Sequence, residues 1–137
     1  VMGKCLTPEK FEFLMTRKEE ITLDLAARYG LPRIPGAIEL AQAFKDRWLL
    51  LVMASSSRLA VRFIEMMGYQ EVFHAMSDAR EVKKAKPSPD VFLLTASKLD
   101  VEPGRCLVIE DSVLGVQAGY NLLANAVKTT VVSSQQD

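Results

Sequence analysis

Two apolar runs that end abruptly in polar residues constrain the fold of this chain most strongly. The run Trp48–Ala54 breaks into three serines, and the run Cys106–Ile109 breaks into Glu110 and Asp111. Segments with helical periodicity separate these runs, and apolar strands joined by helices are typical of a parallel sheet covered on both faces. Ligands of open α/β sheets bind at the carboxyl ends of the strands. We therefore expect these polar groups, and Lys86 from the intervening loop, to lie at one edge of the sheet.

Residues 34–137 have the element order of one α/β domain. Segments in which apolar residues recur with helical periodicity alternate with short apolar runs typical of strands. Glycine, proline and serine mark the ends of the segments. The pattern predicts helices at about 37–46, 57–67, 88–99 and 112–123, and strands at 48–54, 72–76, 106–109 and 126–133.

Residues 1–33 form a separate helical segment in this interpretation. Thr7 followed by Pro8 is a favourable helix start, and Thr16 with Glu19 resembles a capping box, so a second helix is predicted to begin at Thr16 and to end at Gly30. A stiff link over 31–36 contains two prolines. The sequence thus predicts domains at 1–33 and 34–137.

Composition excludes several classes of function. Seventeen basic and seventeen acidic residues leave no net charge that would recruit nucleic acid or an anionic membrane. No apolar run is long enough to span a bilayer, and no signal peptide opens the chain. Cys5 and Cys106 lack metal-ligand spacing, which favours reduced thiols in a cytoplasm. His74 is the single histidine, so a histidine triad or zinc site is not expected.

Each polar group at the predicted edge also has a structural alternative. Ser55 and Ser56, between a strand and a helix, suit an anion site at a helix N-terminus, or they only cap the helix. Lys86 precedes a proline and is biased to an extended conformation. Its ammonium can neutralise a phosphate or a carboxylate nucleophile, although loop lysines are usually just solvated. The nearby basic residues Arg80, Lys83 and Lys84 are interpreted as a solvated loop.

The acid pair Glu110 and Asp111 suits a hard cation. Mg²⁺ takes one or two carboxylates, water molecules and substrate oxygens in its protein sites. The alternative is that the acids favour the start of the next helix through its dipole. One acid would suffice for that, so the pair favours a metal site.

Taken together, these segments resemble motifs II, III and IV of the haloacid dehalogenase superfamily, in its phosphatase and β-phosphoglucomutase branch with a small helical cap. The resemblance rests on residues 34–36, 52–57, 86–92, 106–112 and 115–118, and residues 1–4 resemble part of that family's cap. It implies a Rossmann-like parallel sheet with flanking helices, preceded by a remnant of the cap. One departure lies near the end of the helix at 112–123, where Asn121 or Asn125 is expected to adopt the left-handed cap conformation.

The resemblance also implies a role for each site residue. Ser55 would hydrogen-bond the transferring phosphoryl group, with the Ser56 backbone N–H beside it. Lys86 would neutralise charge between nucleophile and phosphate, and Glu110 and Asp111 would hold Mg²⁺ directly or through water. The implied ligand is a small phosphorylated metabolite or inorganic phosphate.

The family's nucleophile is the serious departure. In the family an aspartate on the first strand attacks phosphorus, and a second aspartate two residues later acts as general acid and base. Here Asp24, Asp46 and Asp78 fall in a helix, at a helix end and in a loop, so the Asp-x-Asp strand is expected to be missing and Mg²⁺ binding to be weak. The expected function is a phosphomonoester hydrolase by lineage, inactive or feeble as this chain. The alternatives are a non-catalytic remnant that binds phosphate or a partner protein and, less favoured, a sugar-phosphate mutase.

The missing strand also has a structural consequence. In the family it lies between the strands predicted here at 48–54 and 106–109, and its loss leaves two edges of unpaired backbone groups. We expect one of three solutions. The two strands pair directly, a second chain fills the gap in a swapped homodimer, or the chain is a fragment of a larger protein.

Overall fold

The computed structural model describes residues 6–123 and 130–133 of the chain. The chain divides into two units, Val1–Ile34 and Pro35–Asp137. The helices are α1 (Pro8–Tyr29), α2 (Ala37–Lys45), α3 (Ala60–Met66), α4 (Asp90–Lys98) and α5 (Val113–Leu123). The strands are β1 (Val52–Ala54), β2 (Ala75–Ser77), β3 (Leu107–Glu110) and β4 (Thr130–Ser133), and 3₁₀ turns lie at Gln70–Val72 and Pro103–Arg105.

The first unit contains one continuous helix, so the prediction of a second helix at Thr16 was wrong. Thr7 caps α1 by accepting a hydrogen bond from the backbone of Lys10, and Gly30 closes it with a φ of 76°. No glycine or proline interrupts the helix after its first turn, and good helix formers dominate its surface. The capping-box pattern at Thr16 therefore stays helical.

Strands β1 and β2 are shorter than predicted, whereas β3 has the predicted length. Trp48 adopts a left-handed φ of 64° and is 95% exposed, so the chain is still turning after α2 and the strand begins only at Val52. The strand predicted at 72–76 begins later, at Ala75, because residues 70–72 form a 3₁₀ turn. His74 has a structural role: its backbone N–H donates to Leu51 O (2.8 Å) and its Nδ1 accepts from Leu51 N–H (3.0 Å).

The strands form two parallel pairs, β1 with β2 and β3 with β4. The registers run Val52↔Ala75 to Ala54↔Ser77 and Leu107↔Thr130 to Glu110↔Ser133. Among the described residues β1 and β3 do not pair, so the first of the three expected solutions, direct pairing, is wrong. Parallel order places the carboxyl ends of both strands of a pair on one side.

The core lies where α4 and α5 pack on the strands. Helix α4 contacts β1 and β2, α5 contacts β3 and β4, and the two helices contact each other. The most buried apolar residues of this region are Val91, Ala96, Val108, Ala118 and Leu122. Strand β3 is covered on one face only, because Leu107 and Ile109 are 55% and 53% exposed. The expectation of a sheet covered on both faces is thus not met at β3.

The structure tests one of the two residues, Asn121 and Asn125, that were expected to adopt a left-handed conformation at the end of α5. Asn121 lies inside the helix, where its side-chain amide donates to Pro87 O (2.8 Å), so it does not adopt a left-handed cap conformation. Asn125, Cys5 and the predicted strand residues 126–129 lie outside the described residues. Within the described part of the chain, every helix is too short or too polar to cross a membrane.

Candidate functional site

Lys86 and Glu110 meet at the carboxyl ends of β1 and β3. The Lys86 ammonium forms an ion pair with Glu110 Oε1 and also donates to the Ala54 carbonyl at 3.4 Å. Ala54 ends β1 and Glu110 ends β3, so one lysine connects two strands that do not hydrogen-bond to each other in the described residues. The structure therefore brings these two predicted site residues together at the sheet edge.

This ion pair is buried. The side chains of Lys86 and Glu110 are 7% and 10% exposed, and the ammonium lies 4.7 Å from the centre of the Phe92 ring. An aromatic face at that distance attracts a cation. Burial by itself would raise the pKa of Glu110, but the Lys86 ammonium and hydrogen bonds from Ser112 outweigh it and lower that pKa below its usual value. The Glu110 carboxyl group is thus held in its charged form.

The second oxygen of Glu110 is held by the start of α5. The Ser112 hydroxyl donates to Glu110 Oε2 at 3.0 Å and the Ser112 backbone N–H donates to it at 3.3 Å. The Gly115 N–H in turn donates to Ser112 Oγ at 3.0 Å. The Glu110 carboxylate is therefore fixed by partners from two directions.

Ser55 and Ser56 follow β1 but do not begin a helix. Ser55 N–H donates to Ser77 O at 3.0 Å, and Ser55 Oγ accepts from Ser57 N–H at 3.1 Å. Helix α3 starts only at Ala60, so the predicted anion site at a helix N-terminus was wrong in that detail. Ser55 is half-buried and Ser56 exposed. Because Lys86 bonds to Ala54, the ammonium lies beside the residue that precedes Ser55.

The described residues provide part of a binding site for a divalent cation. Asp111 is exposed and adjoins Glu110, but Glu110 is already engaged by Lys86 and Ser112. Residues 6–123 and 130–133 hold no group of three carboxylate, histidine or cysteine side chains placed to bind a metal. A Mg²⁺ ion bound mainly by substrate and water needs only one or two protein carboxylates, and Glu110 and Asp111 are adjacent at the end of β3.

A second charged cluster follows β2, and the sequence interpretation missed it. Asp78 is fully buried and accepts from Arg80 Nε and Nη2 at 3.1 and 2.7 Å. Although burial opposes it, Arg80 lowers the pKa of Asp78. Arg80 is exposed, as Lys83 and Lys84 are, but the interpretation of Arg80 as merely solvated missed its ion pair with Asp78. The sequence could not show which of these three basic residues forms an ion pair, since that depends on Asp78 being buried.

The comparisons place the chain in a family. A sequence model described as haloacid dehalogenase-like hydrolase matches residues 14–121. The chain is 31% identical over 115 residues to β-phosphoglucomutase of Bacillus subtilis (strain 168), covering 84% of this chain and 51% of that protein. It is 32% identical over 108 residues to hexitol phosphatase B of Escherichia coli (strain K12), covering 77% and 49%. The protein belongs to the haloacid dehalogenase-like hydrolases.

Solved structures agree on the fold. CbbY from Rhodobacter sphaeroides in complex with phosphate matches with a TM-score of 0.82 at 24% identity, over 100% of this chain and 61% of that one. The chain spans about half the length of these two curated relatives. The Rossmann-like α/β class predicted from the sequence is thus confirmed, as is the phosphatase and β-phosphoglucomutase branch.

The depressed pKa of Glu110 predicts a contribution to acid stability. A carboxyl group whose pKa is lowered by folding stabilises the folded state above its unfolded pKa, near 4.5, and loses this contribution as the pH falls through the folded value. We expect the free energy of unfolding of the wild type to fall below about pH 4.5 more steeply than that of Glu110→Gln. Urea unfolding from pH 3 to 7 measures this. Asp78 and Glu81 act with the same sign, so the difference between the two proteins isolates Glu110; parallel curves would contradict the prediction.

Proposed function

We propose that this protein is a phosphomonoester hydrolase that acts on a small phosphorylated metabolite, with the phosphate bound beside Ser55 and Lys86. One observation carries the proposal: the Lys86 ammonium is held at the carboxyl ends of β1 and β3 by Ala54 and Glu110. Family membership supports it, since relatives include a hexitol phosphatase and a phosphoglucomutase, and a structural neighbour was solved in complex with phosphate.

Each residue has a proposed role. The Lys86 ammonium neutralises charge on the phosphoryl group, while its ion pair with Glu110 keeps that ammonium in place. The Ser55 hydroxyl and the Ser56 backbone N–H donate hydrogen bonds to phosphoryl oxygens. Asp111 is the proposed Mg²⁺ ligand, with Glu110 nearby, and a bound Mg²⁺ would supply further positive charge against the phosphate. Positioning and charge stabilisation are the main sources of acceleration in phosphoryl transfer.

A second candidate is phosphate binding with little or no turnover by this polypeptide alone. Its 137 residues contain no two aspartates spaced two apart, and Asp78 is committed to Arg80. Asp24 and Asp46 likewise bond to Arg28 and Gln42 on their own helices. Loss of a covalent nucleophile typically costs several orders of magnitude in rate. A sugar-phosphate mutase is a third, less favoured candidate.

Phosphate binding tests what the first two candidates share. We expect inorganic phosphate to bind the 137-residue chain, and Ser55→Ala and Lys86→Ala each to weaken it by about tenfold to a hundredfold, the effect of one hydrogen bond to a charged group. Titration calorimetry with and without Mg²⁺ measures this. Ser57→Ala is the matched control, because Ser57 is also in this turn and its hydroxyl accepts a hydrogen bond from Leu59 N–H. Equal affinities in all four proteins would refute a phosphate site at these residues.

Hydrolysis then separates the candidates. Mg²⁺-dependent turnover of an aryl phosphate by the wild type, absent in Lys86→Ala, would support the hydrolase. Phosphate binding without turnover would support the second candidate. We further propose that a second copy covers the edges of β1 and β3 that are unpaired within the described residues, forming a homodimer. A monomeric mass by sedimentation would contradict that.

A further inference from the structure

The position of Gly115 is not explained by its backbone. It lies in the first turn of α5, and its φ is outside the left-handed region that favours glycine. Glycine is a poor helix former, so an alanine would ordinarily be preferred in this turn. The reason for a glycine must therefore lie in the space around it.

That space is filled by the Glu110 carboxylate. A Cβ built on Gly115 would fall within the carboxylate, close to both oxygens and to the Cδ atom of Glu110. The carboxylate cannot simply swing aside, because Lys86 holds one oxygen and Ser112 the other. Because Gly115 has no side chain, the Glu110 carboxylate has the space it needs to reach Lys86.

Ser112 completes this arrangement. Its hydroxyl accepts from Gly115 N–H and donates to Glu110 Oε2, which orders the hydroxyl proton toward the carboxylate. The residue is itself exposed, so it contributes little to the core.

We propose that Gly115 and Ser112 are positioning residues: the empty space at Gly115 and the hydroxyl of Ser112 hold the Glu110 carboxylate against Lys86. Neither residue touches the phosphate in the proposed function. This inference deepens that function where phosphate is concerned, but the placement of Glu110 can be tested without it.

A double-mutant cycle tests Gly115. In the wild type, we expect Gly115→Ala to lower the melting temperature of the full 137-residue chain, because the methyl group displaces Glu110. In a Lys86→Met/Glu110→Ala background, which has no carboxylate and no unpaired ammonium, we expect the same substitution to leave the melting temperature unchanged or to raise it. An equal loss in both backgrounds would overturn the proposal, since Gly115 would then be needed for another contact.

Titration of Glu110 tests the positioning role of Ser112 with a substitution that adds no volume. We expect Ser112→Ala to move the carboxyl ¹³C titration of Glu110 to higher pH, and Ser112→Thr, which keeps the hydroxyl, to restore it. Gln117→Ala, an exposed position on the same helix, is the control and should leave the titration unchanged. An unchanged titration in Ser112→Ala would overturn the role of this residue.

Binding of inorganic phosphate connects the two proposals. If Glu110 positions Lys86, Gly115→Ala and Ser112→Ala each weaken phosphate binding, by about tenfold for one charged hydrogen bond. If Gly115→Ala lowered the melting temperature only in the wild-type background, but the wild type did not bind phosphate, the positioning role would be supported and the proposed function rejected. Phosphate binding that is equal in the wild type and both variants would overturn the positioning of Lys86.

Discussion

Lys86→Ala is expected to lower the free energy of unfolding by about 3–5 kcal/mol, the usual cost of removing one partner from a buried ion pair. The side chain of Glu110 is 10% exposed, so its carboxylate cannot recover full hydration when the ammonium is gone. The contact between Lys86 and the Phe92 ring is lost as well. Ser112 still donates to Glu110, but two neutral donors do not replace a charge.

Comparison with a double variant separates the cost of an unpaired charge from the value of the pair. A buried ion pair replaced by apolar side chains of similar volume is often neutral or stabilising, so Lys86→Met/Glu110→Met should recover most of the lost stability. Lys84→Ala is the matched control, because Lys84 lies two residues away and is exposed; we expect a change within about 0.5 kcal/mol. Urea unfolding at pH 7 measures all four proteins. Equal losses for Lys86→Ala and Lys84→Ala would mean that Lys86 is solvated.

The pH dependence of the free energy of unfolding provides a second test of this prediction. Without Lys86, burial becomes the dominant influence on Glu110 and favours its neutral form. The variant should therefore lose less of its remaining stability on acidification than the wild type. A difference between the two proteins that stays constant from pH 7 to pH 3 would argue against a charged Glu110 as the cause.

Element order could be predicted from the sequence, whereas element ends could not. The alternation of apolar runs and helical periods gave the α/β class and helices close to α2, α4 and α5. The predicted start of β1 was wrong because Trp48, with its β-favouring side chain, lies in a turn set by the end of α2. At the N-terminus, the Thr16 pattern was locally sufficient for a cap but was overridden by the continuous helix around it. In both cases the local preference was weak and the neighbouring turns decided the outcome.

The site could be predicted as a set of residues but not as a set of contacts. The rule that ligands bind at strand ends selected Ser55, Lys86 and Glu110, and the structure brings the last two together. Nothing in the sequence shows that Glu110 uses both its oxygens, or that Gly115 leaves the space for it. Such features depend on where backbone elements pack, and Asp78 was missed for the same reason.

The anchoring of α5 provides the second large prediction. Leu122, in the last turn of α5, is 1% exposed, and α5 contacts α4, β3 and β4. Leu122→Ala is expected to lower the free energy of unfolding by about 2–5 kcal/mol, because it removes buried methyl groups and leaves a cavity. Leu114→Ala is the matched control: it makes the same change on the same helix at a side chain that is 56% exposed, and it should cost less than about 1 kcal/mol.

The consequence for the site follows from the geometry of one helix. The first turn of α5 holds Glu110 through Ser112 and Gly115, and Asn121 near its other end donates to Pro87, next to Lys86. Both partners of the buried ion pair are therefore tied to α5, and a helix loosened by the Leu122 cavity should weaken phosphate binding as well as stability. Calorimetry on Leu122→Ala and Leu114→Ala, at a temperature where both remain folded, measures this. If Leu122→Ala destabilised the fold but bound phosphate as tightly as Leu114→Ala, the site would be held by the strand ends alone.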